Sequence, residues 1–491
     1  MLTPFFDRRD LPLIMPQVML AFFGLGILLT DFLLEKRHKW MNAVMAMAGV
    51  GFSSFALWRL NRMLLGQNAD AFIGFNDSVL VDPFFIFFGF LFLAATALVI
   101  LLSVKYLEIE GEHHGEYYAL MLFAAVGMMF LASGQDLIVL FIALETMAAS
   151  FYVLTGFLRR DRRSNEGALK YVLLGAFSSG ILAYGFSILY GISGTTNLQW
   201  VAAAVALRSA GDPLVLLALV TTSTGLFFKI SAVPFHQWAP DVYEGAPTSI
   251  TAYVSVASKA ASFALLLRIF LIVFGTVRAD WEWLLAAVAL ATLTVGNFAA
   301  LTQTNVKRLL AYSSIAHAGY MLLGLVAGNP TGLKAMAFYL LIYTFMNVGA
   351  FAIVIMLRRQ GLIGDELEDL NGLYRRNPAA AVLLLIFMLS LAGIPPTAGF
   401  LGKWFIFQSL IETGHYTLAV FAALYVVPGL YYYFRLIVHA WLSDSRDPVA
   451  PRMSLAQGVV LSIAAFVSLA GLLCAQPFVQ LAQYAFASMY R

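Results

Sequence analysis

Charge and cysteine are both scarce in this sequence. Only 12% of its 491 residues are charged and 61% are hydrophobic, against about 25% and about 45–50% in ordinary soluble proteins. Such a chain is not a soluble multi-domain enzyme, a disordered protein or a coiled coil, because each of these needs far more polar residues. The single cysteine, Cys474, excludes an internal disulfide framework, a zinc site built on thiolates and a cysteine-ligated iron–sulfur cluster. A net charge of +3 is too small to indicate nucleic-acid binding.

Long apolar runs take the place of the missing polar sequence. A bilayer core of ~30 Å is crossed by about 20 apolar residues in a helix, and runs of this length recur along the whole chain. The linkers between them are too short for a soluble domain. We therefore predict an all-α polytopic membrane protein of about 14 transmembrane helices. The predicted spans are 11–34, 40–58, 84–103, 117–132, 137–157, 168–191, 214–233, 249–275, 283–302, 308–327, 335–357, 379–410, 417–441 and 455–475.

The basic residues are distributed unevenly between the two sets of loops. Eighteen Lys and Arg residues lie in the loops that follow odd-numbered spans, and nine lie on the opposite side. Cytoplasmic loops carry an excess of Lys and Arg, so the odd loops are predicted to be cytoplasmic. With fourteen spans, both termini are then predicted to face outward.

Four charged residues remain inside predicted spans after this sorting: Glu145, Lys229, Lys259 and Lys403. Glu145 lies about ten residues into the fifth span, or roughly 15 Å deep. An ionised group near mid-membrane costs at least ~2.5–3.5 kcal/mol, so four such groups indicate a function. A static ion pair between Glu145 and one lysine is the structural alternative, but it leaves two lysines unexplained.

Buried acids and amines respond in opposite ways to their surroundings. Burial raises the pKa of a carboxyl and lowers the pKa of an amine, while a nearby opposite charge does the reverse. The protonation of such groups therefore depends on whether the partner is close. This behaviour is what a proton relay driven by moving charge requires.

Two predicted spans contain helix breakers close to a buried lysine. Pro234 follows Lys229 in the seventh span, and the pair Pro395-Pro396 precedes Lys403 in the twelfth. Proline removes a backbone N–H and interrupts the helix, and irregular backbone at membrane depth is tolerated only beside a cavity or packed protein. Interrupted helices in corresponding positions of two halves are typical of transporters with inverted repeats. Kinks with only a packing role are the alternative.

The two breaks lie five spans apart, which fits two inverted five-helix units, spans four to eight and spans nine to thirteen. We predict one membrane domain that covers residues 1–491. Its parts are three N-terminal helices (1–110), a first repeat (117–275), a second, inverted repeat (283–441), and the last helix with the C-terminus (455–491).

Several histidines are weaker candidates. His317 lies well inside the tenth span, where it is either a relay group or a packing residue. His236 follows the first break, where it either receives protons or caps the chain. The pair His113-His114 lies among glutamates in a loop, where a solvated acidic surface is favoured over a metal site.

Two segments carry a resemblance to a known family. The run from Lys229 to Thr248 reads KISAVPFHQWAPDVYEGAPT, and the run from Gly393 to Lys403 reads GIPPTAGFLGK. Both resemble the antiporter-like membrane subunits of respiratory complex I, the proton-translocating NADH–quinone oxidoreductase, and PDVYEGAP resembles their subunit N branch. Span count, length and topology agree over essentially the whole chain. The resemblance implies a proton-pumping module of the membrane arm.

The resemblance also implies roles, cofactors and partners. Glu145 matches the fifth-helix glutamate of the family, Lys229 the lysine that pairs with it, Lys259 the connecting lysine and Lys403 the lysine near the exit. No cofactor is expected on this chain; NADH, FMN, iron–sulfur clusters and quinone are expected in other subunits. The expected partners are subunits M, K, J, A and H and the lipid of a bacterial inner membrane, without nucleic acid. A subunit of a cation/proton antiporter, or of a hydrogenase-type complex, remains the alternative.

Overall fold

Helices build almost the whole molecule. The computed structural model describes residues 10–209, 211–358, 362, 364–445 and 449–487. Two short strands, β1 (Phe72–Gly74) and β2 (Val79–Val81), form an antiparallel hairpin. The α-helices of the described residues are α1 (Met15–Asp31), α2 (Met41–Gln67), α3 (Pro83–Glu110), α4 (Gly115–Ser133), α5 (Leu137–Thr155), α6 (Arg162–Ser193), α7 (Leu198–Ala206), α8 (Pro213–Ile230), α9 (Trp238–Gly245), α10 (Thr248–Tyr253), α11 (Lys259–Arg268), α12 (Arg278–Ala300), α13 (Val306–Ala327), α14 (Pro330–Leu357), α15 (Leu373–Arg376), α16 (Pro378–Ala392), α17 (Ala398–Glu412), α18 (Tyr416–Leu424), α19 (Val426–Trp441), α20 (Leu455–Leu473) and α21 (Ala475–Ala485).

The predicted membrane-spanning architecture is confirmed. Within the described ranges, thirteen helical segments are long and apolar enough to cross a membrane. The predicted twelfth span is present as the two shorter helices α16 and α17, so every predicted span has a counterpart. The predicted ends were less accurate: α2 continues to Gln67, and α6 begins at Arg162. The helix α7 and the β-hairpin occupy segments that were predicted as linkers.

Aspartates and prolines start several of these helices. Asp82 accepts a hydrogen bond from the Phe85 N–H at the start of α3, and Asp212 accepts one from the Leu214 N–H at the start of α8, both at 2.8 Å. Such side chains satisfy N–H groups that have no partner inside the helix. In both helices proline is the first residue, where its missing N–H and fixed φ suit the helix.

The most buried helices lie at the centre of the bundle. In the most apolar stretch of α13, 94% of residues are buried, against 28% for the segment Tyr416–Trp441 at the periphery. In the most apolar stretch of the segment Thr248–Val273, which contains α10 and α11, 89% of residues are buried. A helix that is apolar on every side packs inside a bundle. Lys259 and His317 therefore lie on central helices.

Both predicted helix breaks are present. The first separates α8 from α9, and it begins at Ser231, which has a φ of +61°. The second separates α16 from α17, and it begins at Gly393, whose φ of +80° suits glycine because it has no Cβ. Pro234 lies inside the first break, and Pro395 and Pro396 lie inside the second.

The eighth span differs from the simple helix that was predicted. Two stretches of wider π-helical turns, Val254–Ser258 and Ile269–Val273, flank α11. Such turns are rare and are frequent at functional sites. Lys259 is the first residue after the first of these stretches.

Candidate functional site

Glu145 and Lys229 lie near the first break, but they do not form a tight ion pair. Glu145 on α5 is half-buried, and its Oε1 accepts a hydrogen bond from the Ser179 hydroxyl of α6 at 2.5 Å. Lys229 in the last turn of α8 is only 5% exposed, and its Nζ has no hydrogen-bond partner among the described residues. The ring of Tyr152, two turns after Glu145 on α5, lies 5.8 Å from Nζ to the centroid. The static pair considered from the sequence is therefore not present.

Other polar atoms around the first break also lack partners. Buried polar groups are normally hydrogen-bonded, and an unsatisfied one costs about 1–3 kcal/mol unless water reaches it. Thr222 is two turns before Lys229 on α8, so both side chains lie on one face of that helix. Within the part of the chain that the structure describes, the atoms near this break without a hydrogen-bond partner are Tyr152 Oη, Thr222 Oγ1, Ser223 Oγ, Lys229 Nζ, Ser231 Oγ and His236 Nδ1.

Lys259 is 2% exposed and makes two hydrogen bonds to one residue of α13. Its Nζ donates to the Ser314 carbonyl at 2.7 Å and also to the Ser314 hydroxyl. Ser255, four residues before Lys259, accepts a hydrogen bond from Asn347 Nδ2 at 2.8 Å.

His317 bonds to tyrosines through both ring nitrogens. Its Nδ1 lies 2.6 Å from the Tyr339 hydroxyl, and its Nε2 lies 3.0 Å from the Tyr433 hydroxyl. The Tyr433 hydroxyl also bonds to the hydroxyl of Ser313. His317 is buried, and it is part of a polar network and not surrounded by apolar groups alone.

Lys403 lies against the second break. It is 5% exposed, and its Nζ donates to the carbonyl oxygens of Leu391 at 3.2 Å and Ala392 at 2.8 Å. These carbonyls end α16, where helix geometry leaves them without an intrahelical partner and the helix dipole is negative. The ring of Tyr320 lies 5.0 Å from the same nitrogen. The break therefore supplies the acceptors for this ammonium group.

Helix α13 connects the groups of the second half. Ser314, His317 and Tyr320 follow at intervals of three residues and lie on neighbouring positions of one face. They contact Lys259, Tyr433 and Lys403 respectively. Of these α13 residues, the sequence analysis had selected only His317. The polar Ser-x-x-His-x-x-Tyr spacing on an apolar helix was the available signal.

The sorting of charges by sequence position was wrong for Arg268 and Lys307, which had been assigned to loops. Arg268 is 1% exposed, pairs with Asp82 at 2.9 Å and donates to the Ala132 carbonyl. Lys307 is also buried, and it donates to the Glu244 carbonyl at 2.7 Å. Their partners are distant in sequence, so hydropathy does not reveal them.

Helix α9, beyond the first break, is fastened on two sides. Its Asp241 accepts hydrogen bonds from Lys170 of α6 at 2.7 Å and from Arg308 of α13 at 2.6 Å. Its Trp238 donates to the Phe228 carbonyl of α8 at 2.9 Å. The two helices that meet at this break are thus held together beside Lys229.

The His113-His114 loop shows a local contact. His114 Nε2 lies 3.1 Å from a carboxylate oxygen of Glu112. No three His, Cys, Asp or Glu side chains of the described residues come together in a group that could hold a metal ion.

Comparisons with known proteins place this arrangement in context. Residues 134–427 match the family model described as NADH:quinone oxidoreductase/Mrp antiporter, TM. The chain is 56% identical over 483 residues to NADH-quinone oxidoreductase subunit N 2 of Solibacter usitatus, covering 98% of each chain. It is 54% identical over 473 residues to NADH-quinone oxidoreductase subunit N 1 of Koribacter versatilis, covering 94% and 93%.

Solved structures agree with this match. A chain of respiratory complex I from Thermus thermophilus with bound aureothin superposes with a TM-score of 0.79 at 33% identity, covering 96% of this chain and 100% of that one. A chain of the Mrp complex from Dietzia sp. superposes with a TM-score of 0.84 at 22% identity, with 97% of each chain covered. The latter shows a shared fold.

Proposed function

Because the chain belongs to the family of NADH:quinone oxidoreductase/Mrp antiporter membrane subunits, on its subunit N branch, we propose that it moves protons across the membrane through a relay of buried side chains. The relay consists of Glu145, Lys229, Lys259 and Lys403. Quinone reduction in sister subunits drives it, and this chain acts as a non-redox translocase. The supporting observation is that three lysines, each at most 5% exposed, are distributed between two helix breaks without a carboxylate partner within 4.0 Å in the described residues.

The first step takes place at the break between α8 and α9. The polar atoms without protein partners around Lys229 favour water at this place, and water can bring a proton from the cytoplasmic side. His236, in the same break, is a candidate for receiving that proton. Glu145 then controls how long Lys229 holds it. At an effective dielectric of 20 their attraction is about 4 kcal/mol at 4 Å and about 2 kcal/mol at 8 Å. This difference of about 2 kcal/mol alters the protonation equilibrium of Lys229 about 30-fold.

The later steps follow α13 to the second break. A proton released from Lys229 reaches Lys259, whose Nζ is held by Ser314. It then passes the His317 region and arrives at Lys403. The carbonyls of Leu391 and Ala392 stabilise the charged ammonium there, and Lys403 discharges the proton outward through the α16–α17 break.

The surroundings of the relay complete the proposal. The repeats 117–275 and 283–441 are inverted copies, while 1–110 contributes the three N-terminal helices and 455–491 the last helix with the C-terminus. NADH, FMN, iron–sulfur clusters and quinone are bound by sister subunits, and the partners are the neighbouring subunit M and the small subunits K, J, A and H of a bacterial inner-membrane complex. Both termini face outward; the end segments 1–9 and 488–491 lie outside the described residues.

Substitution in the assembled complex tests the relay. We expect Lys229→Ala and Glu145→Ala to lower proton pumping and coupled NADH–quinone turnover at least tenfold, because each removes a charged group of the relay. Lys105→Ala is the matched control, since Lys105 pairs with Glu108 at the exposed end of α3. The amount of complex in the membrane and its NADH oxidation with an artificial acceptor report on assembly.

Normal pumping by both relay variants would disprove the assignment. Identification of the chains that co-purify distinguishes the function from its alternatives. Subunits that bind NADH and reduce quinone support the proposal. Transport that depends on Na⁺, in a complex without redox subunits, would instead show a cation/proton antiporter.

A further inference from the structure

Four hydrogen-bonded side chains, Ser313, Tyr433, His317 and Tyr339, lie in the core between the Lys259 contact and the helix that carries Lys403. Ser313 and Ser314 are consecutive residues of α13, and Lys259 donates to Ser314. Ser313 bonds to the Tyr433 hydroxyl, and that hydroxyl lies 3.0 Å from His317 Nε2. All five side chains are buried. The phenol of Tyr433 therefore spans the helical turn that separates the serines from the histidine.

The chain continues on the other side of the imidazole. His317 Nδ1 lies 2.6 Å from the hydroxyl of Tyr339 on α14. The Tyr339 ring packs directly on Gly402, the residue before Lys403; a Cβ added at Gly402 would lie 2.1 Å from the ring. The hydrogen-bonded groups thus lead from Ser313, the residue next to the Ser314 that Lys259 contacts, to the backbone of α17 beside Lys403.

Each member of this chain both donates and accepts a proton. A hydroxyl group does so through one oxygen, and a neutral imidazole does so through its two nitrogens. With Ser313 as donor to Tyr433, Tyr433 as donor to Nε2, and Nδ1–H as donor to Tyr339, every group gives one hydrogen bond to the next. One proton can then be taken up at the start and one given up at the end without a lasting charge on any member.

We propose that the Tyr433 hydroxyl is a proton-carrying bridge between the serines beside Lys259 and His317. This inference rests on the proposed relay and specifies its second half. The Tyr433 O–H bond breaks as its proton bonds to Nε2, and Tyr433 regains a proton from Ser313. The Lys259 ammonium gives up one N–H proton, which replaces the proton that Ser313 loses. The Nδ1–H bond breaks as its proton passes to the Tyr339 oxygen, so the number of protons on the imidazole is conserved, and Tyr339 gives its own O–H proton to the neutral amine of Lys403. No electron transfer is involved. Rotation of the hydroxyl groups and return of the imidazole to its first tautomer reset the chain.

Tyr433→Phe in the assembled complex tests the bridge, because it removes one oxygen and keeps the ring. We expect coupled turnover and proton pumping to fall at least fivefold. Tyr425→Phe is the matched control, because Tyr425 is in the same span and its hydroxyl pairs with Thr294 at 2.5 Å, outside the chain. This control should remain within twofold of the unmodified complex.

A second variant separates proton transfer from a structural role. 3-Fluorotyrosine at position 433 keeps the hydroxyl and makes it more acidic. We expect it to retain pumping and to shift the pH profile of coupled turnover, which a purely structural hydroxyl would leave unchanged. It also decides the question if Tyr433→Phe fails to assemble.

Two outcomes would overturn the inference. One is pumping by Tyr433→Phe equal to that of Tyr425→Phe, and the other is an unchanged pH profile with 3-fluorotyrosine. If Lys229→Ala abolishes pumping in the same preparations, the relay stands and only the bridge is wrong. If Lys229→Ala pumps normally, the proposed function itself is wrong.

Discussion

A single added carbon at Gly402 should disturb the relay through packing. In the structure, a Cβ at this position would lie 2.1 Å from Cδ2 of Tyr339, about 1.4 Å closer than the ~3.5 Å of a favourable carbon contact. The added Cβ is fixed to the backbone of α17, which has little freedom to move, so the Tyr339 ring must move by about this distance. The Tyr339 hydroxyl is 2.6 Å from His317 Nδ1, and such a movement breaks that hydrogen bond. We expect Gly402→Ala to lower proton pumping several-fold.

The stability of this variant should fall by a few kcal/mol at most. Overpacking costs typically about 1–3 kcal/mol, and the lost hydrogen bond about 0.5–1.5 kcal/mol. Replacing glycine by alanine inside a helix returns about 0.8–1.0 kcal/mol. The net loss is therefore about 0.5–4 kcal/mol. Pumping into proteoliposomes and thermal melting of the purified complex measure the two effects separately.

Two other glycines are controls for the Gly402→Ala experiment. The nearest atom to a Cβ at Gly429 is 3.6 Å away, and a Cβ at Gly51 meets nothing within 4 Å. Both alanine variants should pump normally and be at least as stable as the parent. The double variant Gly402→Ala/Tyr339→Val should recover stability without recovering pumping. Pumping by Gly402→Ala equal to that of Gly429→Ala would refute the reasoning.

Two further predictions concern groups outside the relay. Asp82→Ala leaves the buried Arg268 without its carboxylate. Because removing one partner of a buried ion pair costs about 3–5 kcal/mol, the melting temperature and the amount of assembled subunit should fall. The double variant Asp82→Ala/Arg268→Met should recover most of the loss. A double variant no better than the single one would contradict this. Burial lowers the pKa of His113 below its ordinary 6.5, partly opposed by Glu108. The protein therefore keeps its full stability above pH 6.5, where His113 is neutral in the folded and in the unfolded state, and loses stability as the pH falls below 6.5 and the unfolded state binds the extra proton. His113→Gln should flatten the loss of melting temperature between pH 7 and pH 5. Equal pH slopes for the variant and the parent would contradict this.

Much of the architecture could be predicted because a membrane restricts what a chain can do. Each apolar run must form a helix, since backbone N–H and C=O groups find no water in lipid. The breaks at Pro234 and at Pro395-Pro396 were also predictable, because proline cannot donate the missing hydrogen bond. The π-helical turns before Lys259 were not, because they arise from packing inside the bundle and leave no mark in composition.

Hydropathy and charge are local properties, so the sequence was enough to predict a polytopic membrane protein with Glu145, Lys229, Lys259 and Lys403 inside its spans. Only the tertiary structure decided which groups meet. It separated Glu145 from a tight pair with Lys229, placed Arg268 against Asp82, and brought Tyr433 to His317 across 116 residues. Hydrogen bonds between distant residues depend on how helices pack, and many different packings are compatible with the same apolar runs.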